Sequence, residues 1–167
     1  MEEKDMILIN NIDEIYTMNE KNFKIENGYI IIEDKKIKEL GKSKNLTDKN
    51  IKESNYKKII DGKNTIVLPG LINTHTHSAM TLLRGYADDL PLNTWLEEKI
   101  WPIEAKLSEE DIYWGSLLAI VEMIKSGTTT FTDMYFEMHK VGEAVKESGI
   151  RAVLSQGLIE KNDGKQG

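Results

Sequence analysis

The sequence predicts an α/β fold in which a small all-β portion precedes the opening strands and helices of a parallel sheet or barrel. Three observations predict it. Short apolar, strand-like runs alternate with polar turns up to about Ile66. Pro69-Gly70 then marks a change of character, and Leu71 to Ser155 reads strand, helices, strand, helix, strand, the unit of a parallel α/β sheet. The boundary falls near Val67, giving an amino-terminal β portion over residues 1–66 and a second portion over residues 67–167.

In the first portion Ile7-Leu8-Ile9, Ile15-Tyr16-Thr17-Met18 and Tyr29-Ile30-Ile31-Ile32 are the expected strands. Asn27-Gly28, Glu33-Asp34-Lys35-Lys36 and Asp61-Gly62-Lys63-Asn64 are the turn formers between them. Ser43 to Lys58, rich in Lys and Asn and without a period, is expected to be a loop or a frayed surface helix. In the second portion Ser108-Glu109-Glu110-Asp111 looks like a helix start, with Asp in place of Glu at the capping-box position. Trp114, Leu117, Leu118, Val121 and Ile124 follow at helical spacing, and Lys125-Ser126-Gly127 ends the helix on a left-handed glycine. Thr128 to Tyr135 is β-branched and aromatic enough for a strand. A second helix over about Glu137 to Glu147 stops at Gly149, and Ile150 to Ser155 is the next strand. Three strands leave an open edge and half-covered apolar faces, which a finished barrel closes with five more strands over about 250 residues in all. The polar tail Lys161 to Gly167 supplies none of them.

Composition narrows the function classes. A net charge of −6 over 167 residues, with both signs interspersed, offers no basic face for nucleic acid or anionic lipid, so neither is expected as a partner. No apolar run approaches the ~18 residues that cross a bilayer, and Met1-Glu2-Glu3-Lys4-Asp5 is unlike a secretory leader, which predicts a cytoplasmic protein. With no cysteine, any metal must be held by histidine and carboxylate.

His75 and His77 stand two apart at the end of an apolar strand, so both imidazoles are expected on one face, where they could hold one cation at ~2.0 to 2.1 Å. Thr74 and Thr76 would point the other way. In a barrel this is the carboxyl end of a strand, where active sites of that architecture lie. An isolated His-x-His pair also arises by chance, so the surrounding residues must decide.

Those residues are Leu68-Pro69-Gly70-Leu71-Ile72-Asn73-Thr74-His75-Thr76-His77-Ser78, preceded by the hairpin-like Ile59-Ile60-Asp61-Gly62. Here the sequence resembles the amidohydrolase superfamily, whose first barrel strand carries His-x-His after Pro-Gly and an apolar pair. Met80 to Leu92, Trp95-Leu96, Trp101-Pro102-Ile103-Glu104 and Asp133-Met134-Tyr135-Phe136 carry the resemblance along nearly the whole chain. They are similar to the 5-methylthioadenosine/S-adenosylhomocysteine deaminases and the chlorohydrolases close to them.

The resemblance implies the first part of a TIM-like (β/α)8 metal-dependent hydrolase barrel, incomplete in this chain and preceded by a small β-sandwich. It implies that His75 and His77 share one divalent metal ion, zinc by expectation, with a later histidine and a later aspartate. In the deaminases the metal activates the water that attacks C6 of an adenine ring, a later glutamate shuttles protons, and ammonia leaves. No catalytic acid or base is therefore expected in this chain, which alone is expected to be inactive. The implied partner is a small nucleoside, namely 5-methylthioadenosine, S-adenosylhomocysteine or adenosine, and a homo-oligomer is left open.

The resemblance also places Glu104 at the family residue that binds the ribose diol, a role for which one carboxylate has enough acceptor sites. Trp95 is either an apolar wall for purine or sulfur substituent, or only a packing residue of its helix turn. Gln156 departs from the family, standing where its members carry a substrate-contacting arginine, and so puts recognition of a carboxylate-bearing substrate in doubt. His139, without an acidic or histidine partner at ligand spacing, reads as a surface residue, and Asp133 as a cap for the helix that follows it. Two other readings stay open: a hydrolase of the same group acting on a triazine or another ring, and a non-catalytic remnant with two of the usual three protein ligands.

Overall fold

The computed structural model describes residues 5–20, 23–46 and 56–157. The chain divides into two compact units, Met1–Pro69 and Gly70–Gly167.

In the first unit β1 (Met6–Tyr16), β2 (Lys24–Glu33), β3 (Lys36–Lys42), β4 (Lys58–Asp61) and β5 (Ile66–Val67) form one mixed sheet. Its order is β3-β2-β1-β4, with β5 also paired to β1. β1 unites the two strands expected at Ile7 and Ile15. A bulge takes up Asn10-Asn11: the register on β2 slips between Ile9 and Ile12, and Asn11 adopts the left-handed φ of 58° that asparagine tolerates. Thr17 and Met18 fall beyond its end. Leu8, Tyr29 and Ile31 pack as one cluster, and Ile12, Ile15 and Ile30 as another, as the alternation along β2 requires. The residues expected to form a hairpin, Ile59 to Gly62, instead run parallel to β1 and are clamped at both ends, Lys57 N–H donating to Met6 O and Gly62 N–H to Asn10 O. Ser43–Asn45 is a single 3-10 turn. Residues 47–55 of the expected loop, and the tail from Lys161, lie outside the described residues.

In the second unit β6 (Leu71–Thr76), β7 (Thr128–Tyr135) and β8 (Arg151–Gln156) form a parallel sheet in that order. The crossover helices are α1 (Glu109–Lys125) and α2 (Met138–Ser148). β6 is followed by a 3-10 helix, Ser78–Leu83, and then by a helical run of three parts: an α-turn Leu92–Thr94, a π-turn Trp95–Ile100 and an α-turn Trp101–Glu104. Pro102 has no N–H to give to the preceding turn, and widening that turn to π spacing accommodates the missing bond.

Phe131 and Tyr135 of β7 form the core with Ile112, Ile120 and Met123 of α1 and Met138 and Val141 of α2. The opposite sheet face is bare, with Ile72, Met134 and Val153 exposed.

The start of α1 is a complete capping box: Asp111 N–H donates to Ser108 Oγ at 3.2 Å while Ser108 N–H donates to Asp111 Oδ2 at 2.8 Å. Asp serves as well as Glu here because the carboxylate still reaches back three residues. The Ser108 hydroxyl, which donates to Asp111 Oδ2 at 2.6 Å, and then the Ser108 N–H hold the Asp111 carboxyl below its ordinary range. The apolar stripe of α1, however, faces outward. Trp114 is 56% exposed, and Leu118, Val121 and Ile124 are similarly open, whereas Gly115, Ser116, Ala119 and Ile120 are buried. Small residues take the part of the inner face that meets the Ser78–Leu83 helix, which lies so close that a Cβ on Gly115 would come within 2.6 Å of Ala79 O.

That closeness is fixed by a buried acid. Asp133, fully inaccessible, accepts the Ser78 N–H at 3.2 Å and the Ser78 hydroxyl, while Ser78 Oγ stands 3.2 Å from Ser116 Oγ of α1. Asp133 therefore does cap a helix, but the one that begins after His77 and not α2, because its side chain points inward with Phe131 and Tyr135. No buried side-chain polar atom among the described residues lacks a partner.

Two stability predictions follow from these contacts. Asp133→Asn turns an amide NH2 toward the Ser78 donors and is expected to destabilise the protein by about 2 kcal/mol in denaturant unfolding. Ser108→Ala is expected to cost about 1 kcal/mol. Since the folded Asp111 pKa lies below the unfolded one, the contribution of Asp111 is complete above the ordinary value of ~3.9. It fades as pH falls through the depressed value, which a pH series of the same unfolding curves would read.

Candidate metal centre and its surroundings

β6 delivers His75 as its penultimate residue and His77 just past its end. The bulge between Asn73 and Thr76 in the β6–β7 register re-aims this stretch, and Thr76 turns away to donate its hydroxyl to Thr132 O at 2.9 Å. The two imidazoles meet edge to face with centroids 5.1 Å apart. His77 Nδ1 lies 2.6 Å from Met134 O. A carbonyl only accepts, so Nδ1 carries the proton and the lone pair is on Nε2. This is the second bond that orients metal-binding histidines in general. His75, more exposed, has its backbone N–H 3.3 Å from Asn73 Oδ1. The donor chemistry of the pair fits a borderline divalent ion such as zinc, which takes three or four protein ligands, of which two histidines could be two.

The neighbouring strand ends place further polar side chains beside the pair. Tyr135 closes β7 opposite Gln156 of β8 and is 4% exposed. Its ring centroid is 6.2 Å from that of His77, and its hydroxyl donates to Glu104 Oε1 at 2.6 Å. Burial first, and the Glu104 carboxylate next, push the Tyr135 phenol far above its usual pKa, so it remains a donor. Glu104, half-buried at the end of the three-part helical run, is thereby linked through one side chain to the histidine pair.

Gln156 is exposed, and its Oε1 accepts Met138 N–H at 3.3 Å, capping α2, whose own flanking residue Glu137 offers no side-chain cap. An arginine has no acceptor and could not do this. Trp95 opens the π-turn, half-buried.

The expectation that His139 has no acidic partner is overturned. Glu109 Oε2, from a distant part of the sequence, lies 3.4 Å from its Nε2, and Glu137 Oε2, only two residues away, lies 3.5 Å from its Nδ1. Among the described residues these three are the one trio of acid and imidazole groups close enough to share an ion. All three are exposed, and the Lys140 ammonium stands 3.7 Å from the same Glu109 oxygen, which favours a solvated charge cluster. Tyr135 is the functional candidate absent from the sequence reading. Its parity with the inward Phe131 and Asp133, at a strand end, was the available signal.

The chain is 60% identical over 161 residues to a 5-methylthioadenosine/S-adenosylhomocysteine deaminase of Halothermothrix orenii, covering 96% of this chain and 37% of that one. In structure it is similar to a zinc-bound adenosine deaminase of Xanthomonas campestris, with 32% identity and a TM-score of 0.75 over 88% of this chain and 33% of that one. It is also similar to an atrazine chlorohydrolase of Arthrobacter aurescens complexed with zinc, with 25% identity and a TM-score of 0.78 over 90% of this chain and 35% of that one. The chain thus spans about a third of the length of the relatives it matches. The sequence profile described as "Amidohydrolase family" matches residues 66–166, well over half of the chain and the whole of the strand-end site, and the chain belongs to that family.

Proposed function

We propose that this segment supplies the first two metal ligands and the ribose-binding carboxylate of a hydrolytic deaminase acting on an adenosine-type nucleoside. The observation that carries the reading is the histidine pair at the carboxyl end of β6, edge to face, with the His77 Nδ1 proton held by Met134 O. In this reading residues 1–66 and 67–167 are two domains, the first belonging to a β-sandwich and the second opening a (β/α)8 barrel whose interior face includes the bare side of the β6-β7-β8 sheet.

His75 and His77 would hold one divalent ion through ring nitrogens, Nε2 in the case of His77. Such an ion lowers the pKa of a bound water from ~15.7 toward ~7 and so makes a nucleophile available near neutral pH. Glu104 would accept the two ribose hydroxyls, orienting the nucleoside with its base toward the histidines. The donation from Gln156 to a carboxylate-bearing substrate would be that of a neutral amide, which favours 5-methylthioadenosine or adenosine over S-adenosylhomocysteine. The 60% identity to the Halothermothrix orenii deaminase supports this substrate class. The likeness to the chlorohydrolase supports a second reading, displacement of a leaving group from another ring by the same centre.

In a full-length polypeptide carrying this segment, adenosine or 5-methylthioadenosine is expected to be converted to its inosine analogue, followed by ultraviolet absorbance and ammonia release. His77→Ala is expected to lower bound zinc by roughly tenfold or more, measured by elemental analysis. Full zinc occupancy with no turnover of any adenosine analogue would shift the assignment to the second reading. The 167 residues alone, with two ligands, are expected to release no ammonia; sustained release from a preparation free of longer protein would contradict that.

A further inference from the structure

We propose that Tyr135 is a positioning residue for nucleoside selectivity: its buried hydroxyl holds Glu104 in the rotamer that accepts the ribose diol. The inference rests on the reading of Glu104 given above. A glutamate at the end of a short helical turn has several accessible rotamers, and freezing one of them at the moment of binding weakens association. Here the ordering is done in advance. Tyr135 is itself immobilised by burial within β7 and by Tyr135–Gln156 strand pairing, and it donates to Glu104 Oε1 at 2.6 Å. A carboxylate offers about four acceptor sites over two oxygens, so the tyrosine uses one and leaves Oε2 entire, with a further site on Oε1, for two vicinal hydroxyls. The same ring stands 6.2 Å from His77, so the side chain that aims the carboxylate also fixes its spacing from the histidine pair. A bond whose only task were to tie the helical run to the sheet would leave ribose discrimination unaffected, and this separates the two roles.

The test uses full-length enzyme containing this segment, with adenosine and 2′,3′-dideoxyadenosine as substrates. Tyr135→Phe keeps the buried ring and removes only the donor, and half-buried Glu104 remains within reach of water, so the variant is expected to fold with an unchanged thermal midpoint. Loss of one charge-assisted hydrogen bond corresponds to roughly a tenfold change in affinity. The expected result is a KM for adenosine raised about tenfold with kcat within twofold, and a KM for the dideoxynucleoside unchanged. Glu104→Gln is expected to reduce the same selectivity, and the double variant to match Glu104→Gln alone, since the tyrosine acts through the glutamate. Selectivity lowered by Glu104→Gln but untouched by Tyr135→Phe would overturn the role of Tyr135 and leave that of Glu104 standing. Selectivity untouched by Glu104→Gln would overturn both.

Discussion

The strand-end site depends on one buried carboxylate. Among the described residues no cation pairs with Asp133, and its burial is tolerated because Ser78 presents two donors, a backbone N–H and a hydroxyl, with Ser116 next in the chain of contacts. These bonds determine where the chain goes immediately after His77. They pull the Ser78–Leu83 helix against α1 closely enough to require glycine at 115, and they set the end of β6 beside the end of β7. The Met134 carbonyl that orients His77 is the next residue along β7, so the acid that turns the chain and the acceptor that aims the ring are neighbours on one strand.

Much of this was legible in the sequence, and the limits have physical reasons. The β7 strand, the ends of both crossover helices at left-handed Gly127 and Gly149, and the histidine pair are local features, written in residues adjacent to one another. What sequence spacing misjudged was set by contacts between distant segments. Trp114, Leu118, Val121 and Ile124 have the right period for a core-facing stripe, yet the buried face carries Ile112, Gly115, Ser116, Ala119, Ile120 and Met123, with glycine required where Ala79 comes close. Asp133 has the position of a cap for α2, but strand parity turns it inward to Ser78, and Gln156 takes the capping role instead. Of the acids beside His139, Glu109 comes from the distant start of α1, whereas Glu137 is two residues away and was open to a local reading.

Gln156 illustrates how side-chain chemistry at a strand end sets its task. An arginine at that strand end would present a fixed cation; glutamine presents an acceptor, and α2 begins on it. The first N–H of the helix is then satisfied by the neighbouring strand, which binds β8 to the start of α2 independently of the apolar core beneath.

The bare face of the β6-β7-β8 sheet and the outward stripe of α1 have a consequence for how such a polypeptide is made. Parallel sheets are stable when both faces are covered. Until something packs on them, Ile72, Met134, Val153 and Trp114 present apolar surface to solvent. A chain in that condition is a ligand for chaperones and a partner for its own copies, so the yield of native protein would depend on how quickly those faces are covered.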